Sequence, residues 1–119
     1  MRVHEKEILI YYNPDSSKDK KTVAYAKSIT QHVRSVAYNK NSATSTMWRT
    51  IIDRLGLHPK EMLNKAHPYY QSEIRGREFE DEDWLNVLIR NPELFKAAIA
   101  MKGKQAILCN NPTDVYRLA

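Results

Sequence analysis

The sequence has few of the residues that build covalent or metal-based sites. Its 119 residues include one cysteine, Cys109, so an internal disulfide framework, a zinc site built on cysteines and a two-cysteine redox motif are all excluded. The histidines do not show the spacing of a metal site; they are His4, His32, His58 and His67. We therefore expect neither a metal nor a cofactor.

Long apolar runs are also missing. No run approaches the roughly 20 residues that span a bilayer, and the charged start "MRVHEKEI" predicts no secretory signal. We therefore expect a cytoplasmic protein that does not associate with membranes. The length, with 42% hydrophobic and 28% charged residues, predicts a single domain over residues 1–119.

The charge balance is basic, with a net charge of +5. Such a charge favours acidic partners by long-range attraction but selects none of them. The one local cluster is Lys18, Lys20 and Lys21, and along the chain the basic residues are not interleaved with aromatic ones as in single-strand binders. We therefore consider nucleic acid an unlikely partner.

The first part of the chain alternates between strand and helix patterns. "EILIYYN" is nearly continuously apolar, which is typical of a central strand covered on both faces. Val23, Ala26, Ile29 and Val33 then recur at helical spacing, which predicts an amphipathic helix. "SVAY" predicts a second strand, followed by a polar loop.

A helical region follows this loop. Thr44 or Ser45 is the expected cap, and Gly56 the expected end, of a helix whose apolar face is Met47, Ile51, Ile52 and Leu55. A short helix is expected to start at His58 and Pro59. "EDEDWLNVLIRNP" then predicts a helix with acids at its start and Arg90 at its end, and its buried stripe is Trp84, Val87 and Leu88.

The last part of the chain predicts a β-hairpin and a closing helix. "AAIAMKGKQAILC" has two short apolar runs around a glycine turn. In "NNPTDVYRL", Asn111 and Asp114 form a capping-box pattern with Pro112 at the first helical position. The element order predicts an α/β, thioredoxin-like fold: a four-stranded mixed sheet with a helical insertion after the second strand.

Four segments together resemble a known family. "IYYNPDSSKDKKT", "LGLHPKEMLNK", "EDWLNVLIRNPELFKAAIA" and "LCNNPTDV" resemble, in order and spacing, the arsenate reductase (ArsC) family, which includes the Spx regulators. The resemblance covers nearly the whole chain and implies a glutaredoxin-like fold and a bacterial protein. In the reductases, a cysteine after the first strand attacks arsenate and three arginines bind the oxyanion. In Spx-type members a Cys-x-x-Cys in the same turn is a redox switch.

This chain departs from the family at each of those positions. The resemblance places Ser16 at the nucleophilic cysteine and Asp19 at the second cysteine of the switch. It places the three arginines at Asn64, Ala97 and Asn110. A serine hydroxyl is a poor nucleophile without a base, and none of these replacements carries the positive charge of a guanidinium. We therefore expect no catalytic residue. Ala98 stands where the family has a proline that is commonly cis, so we expect a trans bond there.

The polar turn around Ser16 has three interpretations. The favoured one is structural: Ser16-x-x-Asp19 is a capping box that starts the helix. The second is a retained anion-binding site, formed by Ser16 with the cations Lys18, Lys20, Lys21 and Lys65. The third is serine-based catalysis. We expect Cys109 to be a small strand residue rather than a reactive thiol.

Two functions follow from the resemblance. The favoured one is a family member without reductase chemistry that binds another protein or regulates it, as Spx does, with RNA polymerase as the implied partner. The aromatic residues considered for such a contact are Trp48, Tyr69 and Tyr70, although core positions are also plausible for them. The alternative is a thiol-dependent reductase or transferase that uses glutathione or a partner's thiol. The sequence leaves the oligomeric state open.

Overall fold

The computed structural model describes residues 6–38 and 45–119. The strands are β1 (Ile8–Tyr12), β2 (Val33–Ala37), β3 (Ala98–Lys102) and β4 (Gln105–Cys109), and the α-helices are α1 (Ser17–Ile29), α2 (Ser45–Leu55) and α3 (Asp81–Arg90). Shorter helices lie at Pro59–Met62, Tyr70–Ile74, Pro92–Leu94 and Pro112–Leu118. We call Pro112–Leu118 the last helix. The element order is the predicted one.

These elements form two compact units. The sheet unit joins the described residues up to Tyr38 with Ala97–Ala119, and the helical unit comprises Ser45–Lys96. The single domain predicted over residues 1–119 stays a prediction. None of the helices in the described part of the chain is long and apolar enough to cross a membrane.

The sheet is four-stranded and mixed, with the strand order β2-β1-β3-β4. β1 and β2 pair in parallel, with Ile8 opposite Val33, and a parallel pair needs a crossover, which α1 provides. β3 pairs antiparallel with both β1 and β4. The predictions of a central first strand and a β3–β4 hairpin are both confirmed, and Gly103, at φ +57°, makes the hairpin turn.

The core of the sheet unit fixes α1 on the sheet. It consists of buried residues from β1, α1, β3, β4 and the last helix: Ile8, Ile10, Val23, Ala26, Ala98, Ala100, Cys109, Val115 and Leu118. Burial of each large aliphatic side chain contributes about 1.5 to 3 kcal/mol. The start of α1 is therefore held at the end of β1, and the predicted functional turn lies between the two.

Two predictions in this region need correction. α1 ends at Ile29, and Val33 opens β2 instead of extending the helix, so the strand starts two residues before the predicted "SVAY". Thr30 is already extended, at φ −149° and ψ 153°. Branched apolar residues serve both helices and strands, so the helical spacing of Val33 was a coincidence.

In the helical unit, helices end and begin at predicted residues, but some of the buried residues differ from the predicted ones. Gly56, at φ +66°, ends α2, and His58 caps the helix Pro59–Met62. Trp48 is buried where Met47 was predicted to be, and it stacks on Phe95 with ring centroids 5.0 Å apart. In α3 the half-buried residue is Val87, while Trp84, Leu85 and Leu88 are buried. The cap predicted at Thr44 or Ser45 lies outside the described side chains.

Candidate functional site

The β1–α1 junction, residues 13–19, places Ser16 at the start of α1. Ser16 has extended backbone angles, φ −96° and ψ 117°, and its Oγ accepts a hydrogen bond from the N–H of Asp19 at 3.1 Å. Its carbonyl accepts the N–H of Lys20 at 3.1 Å. These are the two bonds of a helix N-cap. The predicted capping role of Ser16 is confirmed.

Asp19 does not close the predicted capping box. Its Oδ2 accepts the N–H of Asn13 at 2.9 Å, whereas the N–H of Ser16 donates to the carbonyl of Asn13 at 3.1 Å. A capping box would use the N–H of Ser16 as its donor, but that N–H is already bonded within the turn Asn13–Ser16. The Asp19 carboxylate therefore bonds the N–H of Asn13 instead. Asp19 is only 3% exposed, so its charge lies inside the sheet unit.

The junction therefore satisfies much of its own hydrogen-bonding capacity. Besides the bonds of Asn13, Ser16 and Asp19, the N–H of Asp15 donates to Oδ1 of Asn13 at 2.9 Å. An anion site at a helix start needs N–H groups that are not already bonded, together with positive potential. The internal bonds and the buried carboxylate both oppose anion binding.

Tyr38 adds a second buried polar group to this region. Its hydroxyl donates to the carbonyl of Ala97 at 2.9 Å. Burial raises the pKa of Tyr38 well above its ordinary value of 10.0, and the nearby Asp19 and Cys109 act in the same direction. The sequence identified Tyr38 only as a strand residue. β2 ends at Ala37, one residue before Tyr38, so the predicted strand was one residue too long at this end. A buried tyrosine requires a hydrogen-bond partner, but spacing could not identify Ala97 as that partner.

Cys109, the last residue of β4, is fully buried. Burial, followed by the charges of Asp114 and Asp19, raises the pKa of its thiol from 9.0 to about 12, although the Ala100 hydrogen bond and Arg117 act in the opposite direction. Such a thiol stays protonated at neutral pH, and the thiolate is the nucleophilic form. The expectation that Cys109 is a small strand residue agrees with this environment.

The three positions at which the resemblance places the family's arginines lie in different environments. Ala97 is 1% exposed and Asn110 is exposed in the sheet unit. Asn64 is exposed in the helical unit, where its Oδ1 accepts the N–H of Ala66, and Lys65 beside it is exposed too. The peptide bond before Ala98 is trans, as expected.

The three lysines of α1 do not converge on Ser16. Lys18, Lys20 and Lys21 are all exposed, and at 3.6 residues per turn Lys20 points about 100° away from Lys21 and about 160° away from Lys18. The anion-binding set proposed from sequence is therefore divided between two sides of the helix. Within residues 6–38 and 45–119, no group of three His, Cys, Asp or Glu side chains is arranged to hold a metal ion.

The aromatic residues considered for partner contact divide in the same way. Trp48 and Tyr70 are 4% and 3% exposed, so they belong to the core of the helical unit. Tyr69 is 41% exposed, and it remains available for a contact.

Comparison with known proteins shows the fold alone. No protein-family model and no curated protein matches this sequence. Among solved structures, the chain is similar to an arsenate reductase from Vibrio cholerae, with 21% identity over 95% of this chain and 98% of the other and a TM-score of 0.86. A provisionally assigned arsenate reductase from Yersinia pestis is 19% identical over 93% and 99% of the two chains, with a TM-score of 0.84.

A third neighbour, provisionally assigned as an ArsC-family-related protein from Bacteroides fragilis, is 15% identical over 99% of this chain and all of the other, with a TM-score of 0.80. These similarities extend over nearly the full length of each chain. The predicted α/β, thioredoxin-like fold with a four-stranded mixed sheet is thus confirmed.

Proposed function

We propose that this chain is an arsenate-reductase-like protein that has lost reductase chemistry and acts as a protein-binding or regulatory module similar to the Spx regulators. One observation carries the proposal. At the β1–α1 junction, the Ser16 hydroxyl and the Asp19 carboxylate are both used to bond backbone N–H groups. The junction is thereby a structural element.

Nucleophilic chemistry has little support at this junction. Attack on arsenate requires a thiolate or a comparably activated group, and Ser16 is a helix cap whose neighbour Asp19 bonds the N–H of Asn13. The one thiol of the chain is Cys109, and its raised pKa and full burial keep it protonated and inaccessible.

Oxyanion binding is equally unsupported. A transition state with developing negative charge needs preorganised positive groups or N–H donors. Neither Ala97 nor Asn110 carries a positive charge. The buried carboxylate of Asp19 adds a repulsive charge on the same unit.

The test is an arsenate reduction assay with glutathione and glutaredoxin. We expect background turnover from the natural chain and from Ser16→Cys, because a thiol alone does not hold the oxyanion. Activity should require Asn110→Arg and Ala97→Arg in addition. Since Ala97 is buried, an arginine there must repack its surroundings, so the circular dichroism and melting temperature of each variant accompany the assay.

Three outcomes contradict parts of the proposal. Arsenate turnover well above background by Ser16→Cys alone would show that the existing cations already bind the oxyanion. Turnover by the natural chain that survives Cys109→Ala and is lost in Ser16→Ala would support serine-based catalysis. Natural-chain turnover that needs glutathione and survives both substitutions would support the alternative function, a reductase or transferase that borrows its thiol.

The binding half of the proposal is tested separately. Tyr69 is the exposed aromatic candidate of the helical unit, and exposed tyrosines are enriched at interface hot spots. RNA polymerase is the partner that the Spx resemblance implies, so the purified polymerase is the first probe. We expect retention of the polymerase on the immobilised chain, with at least about a fivefold loss of affinity in Tyr69→Ala. Ile89→Ala, which truncates another exposed apolar side chain of the helical unit, is the control. No retention of the polymerase would remove this partner.

A further inference from the structure

The sheet unit brings two tyrosines from distant parts of the chain into one stack. Tyr25 of α1 and Tyr116 of the last helix have ring centroids 5.6 Å apart and ring planes inclined by 14°. Tyr25 is half-buried and packs against the core of the sheet unit, so it forms a firm base for the pair. Tyr116 is 44% exposed, and its ring is the outer member of the stack.

Exposed cations lie on both of the helices that form this stack. On α1, Lys18, Lys21 and Tyr25 recur at intervals of three and four residues, which places them on one side of the helix. At 1.5 Å per residue, Lys21 and Lys18 lie about 6 and 10 Å from Tyr25 along the helix axis. On the last helix, Arg117 follows Tyr116 and lies about 120° from it around the axis, because this helix has three residues per turn; its side chain is 72% exposed.

The exposed charged side chains of this surface are mainly positive. Lys18 and Lys21 are exposed, and Arg117 makes only a long contact, 3.8 Å, with Asp114. The acids that oppose an anion here are Asp114 itself, which also bonds the N–H of Asn111, the buried Asp19 of α1 and the exposed Asp15 before α1.

We infer that this basic aromatic stripe, formed by Lys18, Lys21, Tyr25, Tyr116 and Arg117, binds single-stranded nucleic acid. The proposed contact is a base stacked on the outer ring, with phosphates along the cations. Aromatic faces accept any unpaired base, and a basic track beside them follows the backbone. A negatively charged polymer that also offers flat π faces matches both features of the stripe. The sequence pattern did not predict this arrangement, because Tyr25 and Tyr116 lie far apart in the chain.

The first experiment measures fluorescence anisotropy of a labelled, mixed-sequence single strand of about 12 nucleotides, as DNA and as RNA. Three neutralised phosphates predict a slope of log K against log salt of about −2, so affinity should fall about 20-fold between about 50 and 200 mM salt. The single strand should bind more tightly than the matching duplex, because paired bases do not offer their faces for stacking. No binding at about 50 mM salt, or equal affinity for the duplex, would overturn the inference.

Matched variants assign the binding to the stripe. Tyr116→Ala should weaken binding about fivefold or more, whereas Tyr116→Phe keeps the ring and should bind like the natural chain. Lys21→Gln should make the salt slope less steep by about 0.7. Lys27→Gln removes a charge from the same helix about 160° away from Tyr25, so it should leave the slope less affected. Equal effects of Lys21→Gln and Lys27→Gln, or an unchanged affinity in Tyr116→Ala, would show that general charge and not the stripe binds the strand.

Discussion

The sheet unit contains two strand-to-helix junctions that share a sequence pattern and differ in structure. One leads from β1 into α1 and the other from β4 into the last helix. Each has a polar cap, Ser16 or Asn111, followed three residues later by an aspartate. Asp19 reaches past its cap to the N–H of Asn13 and is buried. Asp114 bonds the N–H of its own cap at 3.0 Å and is half-buried.

The difference arises from which backbone donors are still unbonded. In the first junction the N–H of Ser16 donates to the carbonyl of Asn13. The Asp19 carboxylate therefore bonds the N–H of Asn13 instead. In the second, the N–H of Asn111 donates to the carboxylate of Asp114. One capping pattern thus produces a conventional helix start in one place and a buried charge in the other. The buried charge lies where family resemblance places reactive chemistry.

Thiol reactivity should show the largest contrast between the junctions. Cys109 ends β4 with its pKa raised to about 12, whereas a thiol in Ser16→Cys would lie at a half-buried helix start. In a Cys109→Ala background, Ser16→Cys should react with an alkylating reagent at least about 100-fold faster than Cys109 does in the natural chain. Asp19 limits the gain, so the rate should exceed that of a free thiol only modestly. Comparable rates at both positions would contradict the different environments.

Alkaline pH should weaken the fold through the second junction. The folded state keeps the Cys109 thiol protonated while the unfolded chain releases the proton above pH 9.0. Stability from this group is therefore complete below pH 9.0 and is lost as the pH rises toward about 12. One such group lowers the folding equilibrium constant up to about tenfold per pH unit. Urea unfolding at about pH 9 and about pH 11 should show a smaller loss in Cys109→Ala than in the natural chain. Equal losses would contradict the raised pKa.

Removal of the buried carboxylate should be the costliest single change at the first junction. Asp19→Ala leaves the N–H of Asn13 without its acceptor, and loss of a hydrogen bond to a charged group costs about 1.5 to 3 kcal/mol. Asp19→Asn keeps an acceptor oxygen and should cost less. Asp15→Ala changes an exposed neighbour and should stay within about 0.5 kcal/mol. Chemical denaturation measures all three. An Asp19→Ala variant as stable as the natural chain would mean that relief of the buried charge offsets the lost bond.

Loss of the helix cap Ser16 should have a smaller effect than loss of Asp19. Ser16→Ala removes the acceptor for the N–H of Asp19 and should reduce the free energy of unfolding by about 0.5 to 2 kcal/mol. Ser16→Thr keeps a capping hydroxyl and serves as the control. A melting temperature of Ser16→Ala within error of the natural chain would count against the structural role of this residue.

The smallest effect is expected at the second junction. Asp114→Ala loses an acceptor in the first turn of the last helix and should cost about 0.3 to 1 kcal/mol. The loss should shrink with added salt, because Asp114 also pairs with Arg117 at 3.8 Å. A larger cost for Asp114→Ala than for Asp19→Ala would reverse the comparison between the two junctions.

Local patterns predicted the features that depend on a few consecutive residues. The caps Ser16 and Asn111, the helix start at His58 and Pro59, the glycine that ends α2 and the β3–β4 hairpin were all visible in the sequence because their geometry is set within one turn of chain. Predictions of which side of a helix or strand is buried were less accurate. Val33 belongs to β2, and Trp48 replaces Met47 in the core. Val33 suits a helix or a strand, and Met47 and Trp48 are both apolar enough for the core. Only packing against neighbouring elements decides between these possibilities.

What the sequence by itself determined is the order of the elements, the α/β class and the polar character of the β1–α1 junction, because hydrophobic period and capping chemistry act over short separations. The tertiary structure alone decided that the Tyr38 hydroxyl bonds the Ala97 carbonyl and that Tyr25 stacks on Tyr116. Each of these depends on which donors, acceptors and ring faces remain after strands and helices have packed. That outcome depends on residues far apart in the chain, and no spacing within a single segment contains it.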